Sequence, residues 1–289
     1  MYPLKTHAFE EYYREIDRLG DEGLLKILDE GKKWDLSDSL KSGGSAIFPH
    51  TFISECGYQI ASVVHGCLNS GAQTVLVLGV LHALTDELLS AREKEKAKED
   101  ISNEQCWGIW SPHEQSPFLE KEFSLHFFKT LWDLEITRRS HKIPNLVFKY
   151  PFLVNRAPQL LPGIDELKRI ASDAVVVATA DLFHYGKAYD YSEEKPICND
   201  YLLFAQRAID EGFKILKIGD YEAYADHCDE FISDSINSCS VLRYLLGPLK
   251  AIIRDIKLVD TAHLFEGNAT PSWVAATLVE MQKPPLPID

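Results

Sequence analysis

The chain has 289 residues, 45% hydrophobic and 26% charged, the balance of an ordinary globule with material for a sizeable core. Its formal net charge of −14 offers no basic stripe for phosphates and argues against a nucleic-acid partner. The six cysteines (Cys56, Cys67, Cys106, Cys198, Cys228 and Cys239) form no CxxC pair, no apolar run approaches ~18 residues, and the N-terminus lacks a signal-peptide core; these predict reduced thiols, no membrane partner and a cytoplasmic protein.

Residues 8–32 predict two helices, one with Phe9, Tyr12, Tyr13, Ile16 and Leu19 on a face and broken at Gly20, the other ended by Gly31. Residues 32–44 form a polar, Gly/Ser-rich lead, so that 1–44 reads as a helical lead-in. Ala46-Ile47-Phe48 is a short strand stopped by Pro49, which has no N–H for a ladder, and His50 follows. Residues 53–68 carry apolar side chains at helical spacing, closed by Ser70-Gly71. Residues 74–79 are a continuous apolar run, as parallel strands buried on both faces require, and His82 follows. Both histidines thus fall just beyond the carboxyl ends of strands expected to be joined by a right-handed crossover, where open α/β sheets place ligands. One such histidine is more often a polar loop residue; two at equivalent positions point to a shared site without naming a metal.

Residues 84–100 predict a helix with a mixed-charge, solvated face. Residues 101–117 read as a long loop holding Trp107, Trp110, Pro112, His113 and Pro117, and the stretch 107–117 is expected to cover the site. A helix over 118–134, a strand over 145–154 and a helix over 164–171 come next. The apolar strand at 174–178 then delivers Asp181 and His184, three residues apart. An acid beside a histidine can fix its tautomer or raise its basicity; the plainer alternative is that Asp181 caps the turn holding His184. Helices are expected over 199–217 and 220–232, the latter capped by Asp220, and over 239–253 with a break or kink at Pro248. Residues 256–260 predict a strand, 273–281 a strand or helix, and 283–289 a loose tail. Strands alternating with helices give a single α/β domain over 1–289, a three-layer sandwich with a central, mostly parallel mixed sheet flanked by helices.

Four segments resemble, in order and separation, the motifs of the MEMO family. Ile47-Phe48-Pro49-His50 is similar to its APHAGY element and Leu78-Gly79-Val80-Leu81-His82 to LGPSHH. Glu122-Phe123-Ser124-Leu125-His126 is similar to SIEMHLP, and Thr179-Ala180-Asp181-Leu182-Phe183-His184-Tyr185-Gly186 to SSDFCHWG. The chain departs from the family at Thr51-Phe52, where glycine and tyrosine are usual after the first histidine, and at Ala83, where a second histidine is usual. The resemblance implies a fold like that of the class III extradiol dioxygenases. It also implies that His50 and His82 stand where those enzymes hold iron, with Asp181 and His184 as the catalytic pair. The family's third ligand is a cysteine in a TICG element, and alignment of the helix after it puts Asp234 there. A gap would bring Cys228 or Cys239 into that place instead, and Asp234 also reads as a helix cap before Ser235.

With Asp234 the set becomes two histidines and one carboxylate, which favours Fe(II), with Mn, Zn or Cu as alternatives. The activities implied are a dioxygenase-type oxidoreductase with His184 as acid–base, a metal-dependent hydrolase, or a non-catalytic protein binding a small molecule or peptide in the cleft.

Overall fold

The computed structural model describes residues 8–97, 99, 107–112, 122–140, 142–154, 157–189, 200–267 and 272–284. Among them one sheet holds the strands β1 (Ser45–Phe48), β2 (Thr74–Leu78), β3 (Gly108–Trp110), β4 (Asn145–Phe152), β5 (Val175–Thr179), β6 (His184–Gly186), β7 (Lys250–Asp260) and β8 (Ser272–Gln282). Their order is β3-β4-β2-β5-β1-β8-β6, and β7 pairs along the opposite edge of β8. The centre, β4-β2-β5-β1, is parallel; β3, β6, β7 and β8 join antiparallel, which makes the sheet mixed.

Helices α1 (Ala8–Gly31), α2 (Ser37–Lys41), α3 (Ile53–Asn69), α4 (Asp86–Lys96), α5 (His126–Thr137), α6 (Ile164–Ala171), α7 (Tyr201–Ile218), α8 (Tyr221–Glu230) and α9 (Ile236–Leu246) lie among the strands in sequence. The two-residue period of the central strands sorts their side chains between two cores. Val75, Val77, Val175 and Val177 pack with Leu28 of α1, Ile60 of α3 and Phe128 of α5. Leu76, Leu78, Val176 and Ala178 face the other way, onto Ile164 of α6, Ile209 of α7, Tyr224 of α8 and Val241 of α9. Helices therefore flank both faces. Since β1, β2 and β5 are buried on both faces, their sequences carry no polar alternation.

The differences from expectation are local. Strands β1 and β2 are not neighbours, because β5 lies between them and pairs with both. The polar lead at 32–44 contains α2, folded because Leu36 and Leu40 are buried. The apolar stretch expected as a helix over 239–253 divides. Helix α9 ends at Gly247, whose φ of 78° a side chain would strain, and residues 250–253 begin β7 by pairing with β8. Of the aromatic loop, residues 107–112 are described and supply the edge strand β3, which sets Trp110 opposite Tyr150 of β4; residues 101–106 and 113–117 lie outside the described residues. Helix α1 is kinked at Gly20 (φ 58°, ψ −176°), where the sequence breaks its apolar face. No helix among the described residues is long and apolar enough to cross a membrane.

Candidate metal centre

Strand register brings the candidate residues together. Phe48 pairs with Thr179, and Ala178 with both Ile47 and Leu78, so β1, β2 and β5 end nearly level. The segments that leave them, carrying His50, His82 and Asp181, all emerge at one edge. The close turn after β2 depends on Gly79, where a Cβ would lie 2.4 Å from the Tyr150 ring. On the same edge β8 exchanges β1 for β6, whose first residue is His184.

His50 is buried, and its Nδ1 lies 3.1 Å from the Thr179 hydroxyl. That hydroxyl already donates to the Phe48 carbonyl at 2.9 Å, so it accepts from Nδ1–H and leaves Nε2 of His50 to face the cleft. His82 is held in the same sense by Glu122, whose Oε1 is 3.3 Å from Nδ1. The two Nε2 atoms face one carboxylate oxygen, Oδ2 of Asp234, at 3.1 and 3.6 Å.

Asp234 is placed by the segment between α8 and α9. There Ile232 takes φ 53°, a costly conformation for a β-branched residue. The turn aims the Ile232 carbonyl at Nδ1 of His184, 2.5 Å away. Asp234 and Asp181 then tie their two segments together: the Asp181 N–H donates to Asp234 Oδ1 at 2.8 Å, and the Asp234 N–H to the Asp181 carbonyl at 3.3 Å. Asp181 Oδ1 accepts from the main-chain N–H of His50 at 3.2 Å. Asp234 does not cap α9, a position Ser235 occupies, and Asp181 is followed by β6 and bonds the His50 N–H instead. Cys228 and Cys239 are buried in the core on the α7–α9 side and do not line the cavity; burial pushes the Cys228 thiol up to about 12. Geometry thus leaves Asp234, not Cys228 or Cys239, facing the two histidines.

Glu122 is the partner that sequence reasoning missed. It belongs to the segment expected to be helical from 118, but α5 starts only at His126. The four residues before it wrap the Glu122 carboxylate, which accepts main-chain N–H groups from His82 (2.5 Å), Ala83 (3.1 Å), Phe123 (2.9 Å) and Ser124 (2.9 Å). So tightly bonded an anion stays ionised despite burial, and its pKa is lowered by His82. Its place in the SIEMHLP-like segment was the available signal. The lead-in helix also contributes: Tyr12 of α1 stacks on Phe52 and Phe123 and lines the cavity.

That cavity, about 260 Å³, is walled by Tyr12, Phe123, Tyr189, Ile232, Leu264 and Phe265, with Val274, Arg92 and the histidines and aspartates completing its lining. Burial opposes charge on His50 and His82, but carboxylates outweigh it. Asp181 and Asp234 raise His50, while Glu122 and Asp234 raise His82 to about 10. Burial likewise raises Asp181, whereas at Asp234 the two imidazoles overcome it and hold the carboxyl far below the usual range. A proton on His82 therefore occupies the charge position that a cation would take, and a metal would displace it.

Neither a scan of protein-family models nor a search of curated proteins finds a match to the chain. The donor set itself can be tested for fit. Donors at ~2.1 Å from one ion stand about 3.0–3.4 Å apart, close to the spacings measured around Asp234 Oδ2. Two imidazoles fixed through Nδ1 and one carboxylate suit a divalent ion.

Proposed function

We propose that His50, His82 and Asp234 hold a divalent metal ion, Fe(II) first among candidates, and that the chain is a dioxygenase-type oxidoreductase of the MEMO and class III extradiol kind. The observation that supports this most is the pair of Nε2 atoms, on rings each backed at Nδ1 by Thr179 or Glu122, facing one carboxylate oxygen. When bound, Fe(II) supplies a redox-active Lewis acid with open positions.

The chain's own residues do the rest. Thr179 and Glu122 fix the tautomers, so no ring must turn before an ion is held. Tyr12, Phe123 and Phe265 give an apolar wall for a flat ring and keep water from it. His184, oriented through Nδ1 by the Ile232 carbonyl and standing beside Asp181 in the cavity, is placed to take a proton from a bound hydroxyl and return it. The volume admits a single ring more readily than a peptide, since it falls below the ~300 Å³ at which drug-sized pockets begin.

Protein loaded anaerobically with Fe(II) and mixed with a panel of catechols in air tests this. Ring-cleavage products, absent in His82→Ala, are expected. Turnover of chromogenic esters or amides instead would assign a hydrolase. Ligand binding without turnover would assign a binding protein.

A further inference from the structure

Asp181 and His184 offer more to a cation than an acid–base pair requires. Asp181 is only 4% exposed, and Oδ1 alone of its carboxylate oxygens accepts a hydrogen bond among the described residues. Oδ2 meets Nε2 of His50 at 3.7 Å, beyond hydrogen-bond length. Asp181 lines the cavity, so this oxygen keeps lone pairs to offer a cation there. One donor atom from each of Asp181, His184 and Asp234 lies within 4.8 Å of the others, as holds also for His50, His82 and Asp234. The two triads have only Asp234 in common.

The two oxygens of Asp234 divide between them. Oδ2 faces the histidines of the first triad, while Oδ1 faces the Asp181 segment and accepts its N–H at 2.8 Å, with a lone pair to spare. A carboxylate that belongs to both donor sets can bridge them. We infer that Asp181, His184 and Asp234 form a second divalent-cation site, so that the filled cleft is a binuclear centre bridged by Asp234. This rests on the first ion binding as proposed above.

Its chemistry differs from that of the first site. Two carboxylates and one imidazole form a harder, oxygen-rich set, suited to Mn(II), Fe(II) or Mg(II) rather than to softer ions. It is the weaker of the two. Its anionic bridge is already shared with one cation, Oδ1 is shared with an N–H, and the ions repel each other. Filling it converts Asp181 and His184 from proton carriers into ligands. The cleft then becomes a two-cation clamp for an oxyanion, such as a phosphate or carboxylate group.

Mn(II) stoichiometry by equilibrium dialysis, with low-temperature EPR of the same samples, tests the inference. Two ions per chain at saturation with an exchange-coupled spectrum are expected, since ions in such centres stand ~3.5–4 Å apart. Asp181→Asn and His184→Ala should each retain one ion with the spectrum of an isolated centre. The His184 variant, at a half-buried position, carries the test should the Asp181 variant fail to fold. One ion in the wild type would overturn the second site and leave the first standing. No ion at all would overturn both. Two ions that persist in both variants without exchange coupling would place the extra ion on surface carboxylates and reject the second site.

Discussion

Two histidines beside carboxylates, His65 and His82, show what separates a structural cluster from a candidate site. His65 lies in α3, with Nε2 donating to the Leu28 carbonyl at 2.7 Å and Nδ1 accepting from Arg139 at 3.2 Å; Glu135 is 3.5 Å away. Both nitrogens are used, and the nearby acid is neutralised by Arg139 at 2.8 Å. At His82 the acid reaches the ring only at Nδ1, no arginine pairs with it among the described residues, and Nε2 faces a second carboxylate 3.6 Å away at the cavity wall. Residue types are nearly the same. The difference lies in a ring nitrogen left open and in a surplus of negative charge around it.

The sharpest way to break this comparison is to remove donors from each cluster. Asp234→Ala and His82→Ala should weaken divalent-metal binding by more than the ~10–100-fold typical of losing an outer partner, whereas His65→Gln should leave it unchanged by isothermal titration. Glu122→Gln keeps the shape but removes the charge behind His82, and the loss should fall within about 10–100-fold. In denaturant titrations His65→Gln should in turn cost about 1–3 kcal/mol of stability, because it leaves the Leu28 carbonyl or the Arg139 guanidinium short of a partner.

The smallest effect is a pH dependence. Burial lowers the His65 pKa from its ordinary 6.5, so the folded chain binds that proton less readily than the unfolded chain does. The neutral ring's contribution is therefore full above pH 6.5 and is lost as pH falls below it toward the folded value. Unfolding midpoints measured from pH 7.5 to 5 should fall less steeply in His65→Gln than in the wild type. An unchanged slope would mean that His65 takes up its proton equally in the folded and unfolded chain.

The parts of the site written on strand ends were legible in the sequence. Strands β1, β2 and β5 are parallel and buried on both faces, so they appear as unbroken apolar runs, and His50, His82, Asp181 and His184 follow at their ends. Asp234 sits in a segment without periodicity and could be singled out only through the family resemblance. Glu122 was hidden because the apolar positions of α5 continue helical spacing back through Phe123, while hydrogen bonds to its carboxylate hold those residues out of the helix. Tyr12 looked like one more apolar residue of a peripheral helix. Glu15 on the same helix is buried too, and its carboxylate accepts from the Ile53 N–H at 2.8 Å at the start of α3, a cap supplied from a distant element that no local motif announces. The beginning of β7 is half-buried along its length and lacks the alternation that marks a strand with one wet face.

Anomalous diffraction from crystals soaked in Mn(II) or Fe(II) tests the central claim most directly. The account predicts a peak bounded by Nε2 of His50, Nε2 of His82 and Oδ2 of Asp234, with no peak at His65 and Glu135 in the same crystal. A saturated crystal with no density between those three atoms, or with its strongest peak elsewhere on the chain, would contradict it.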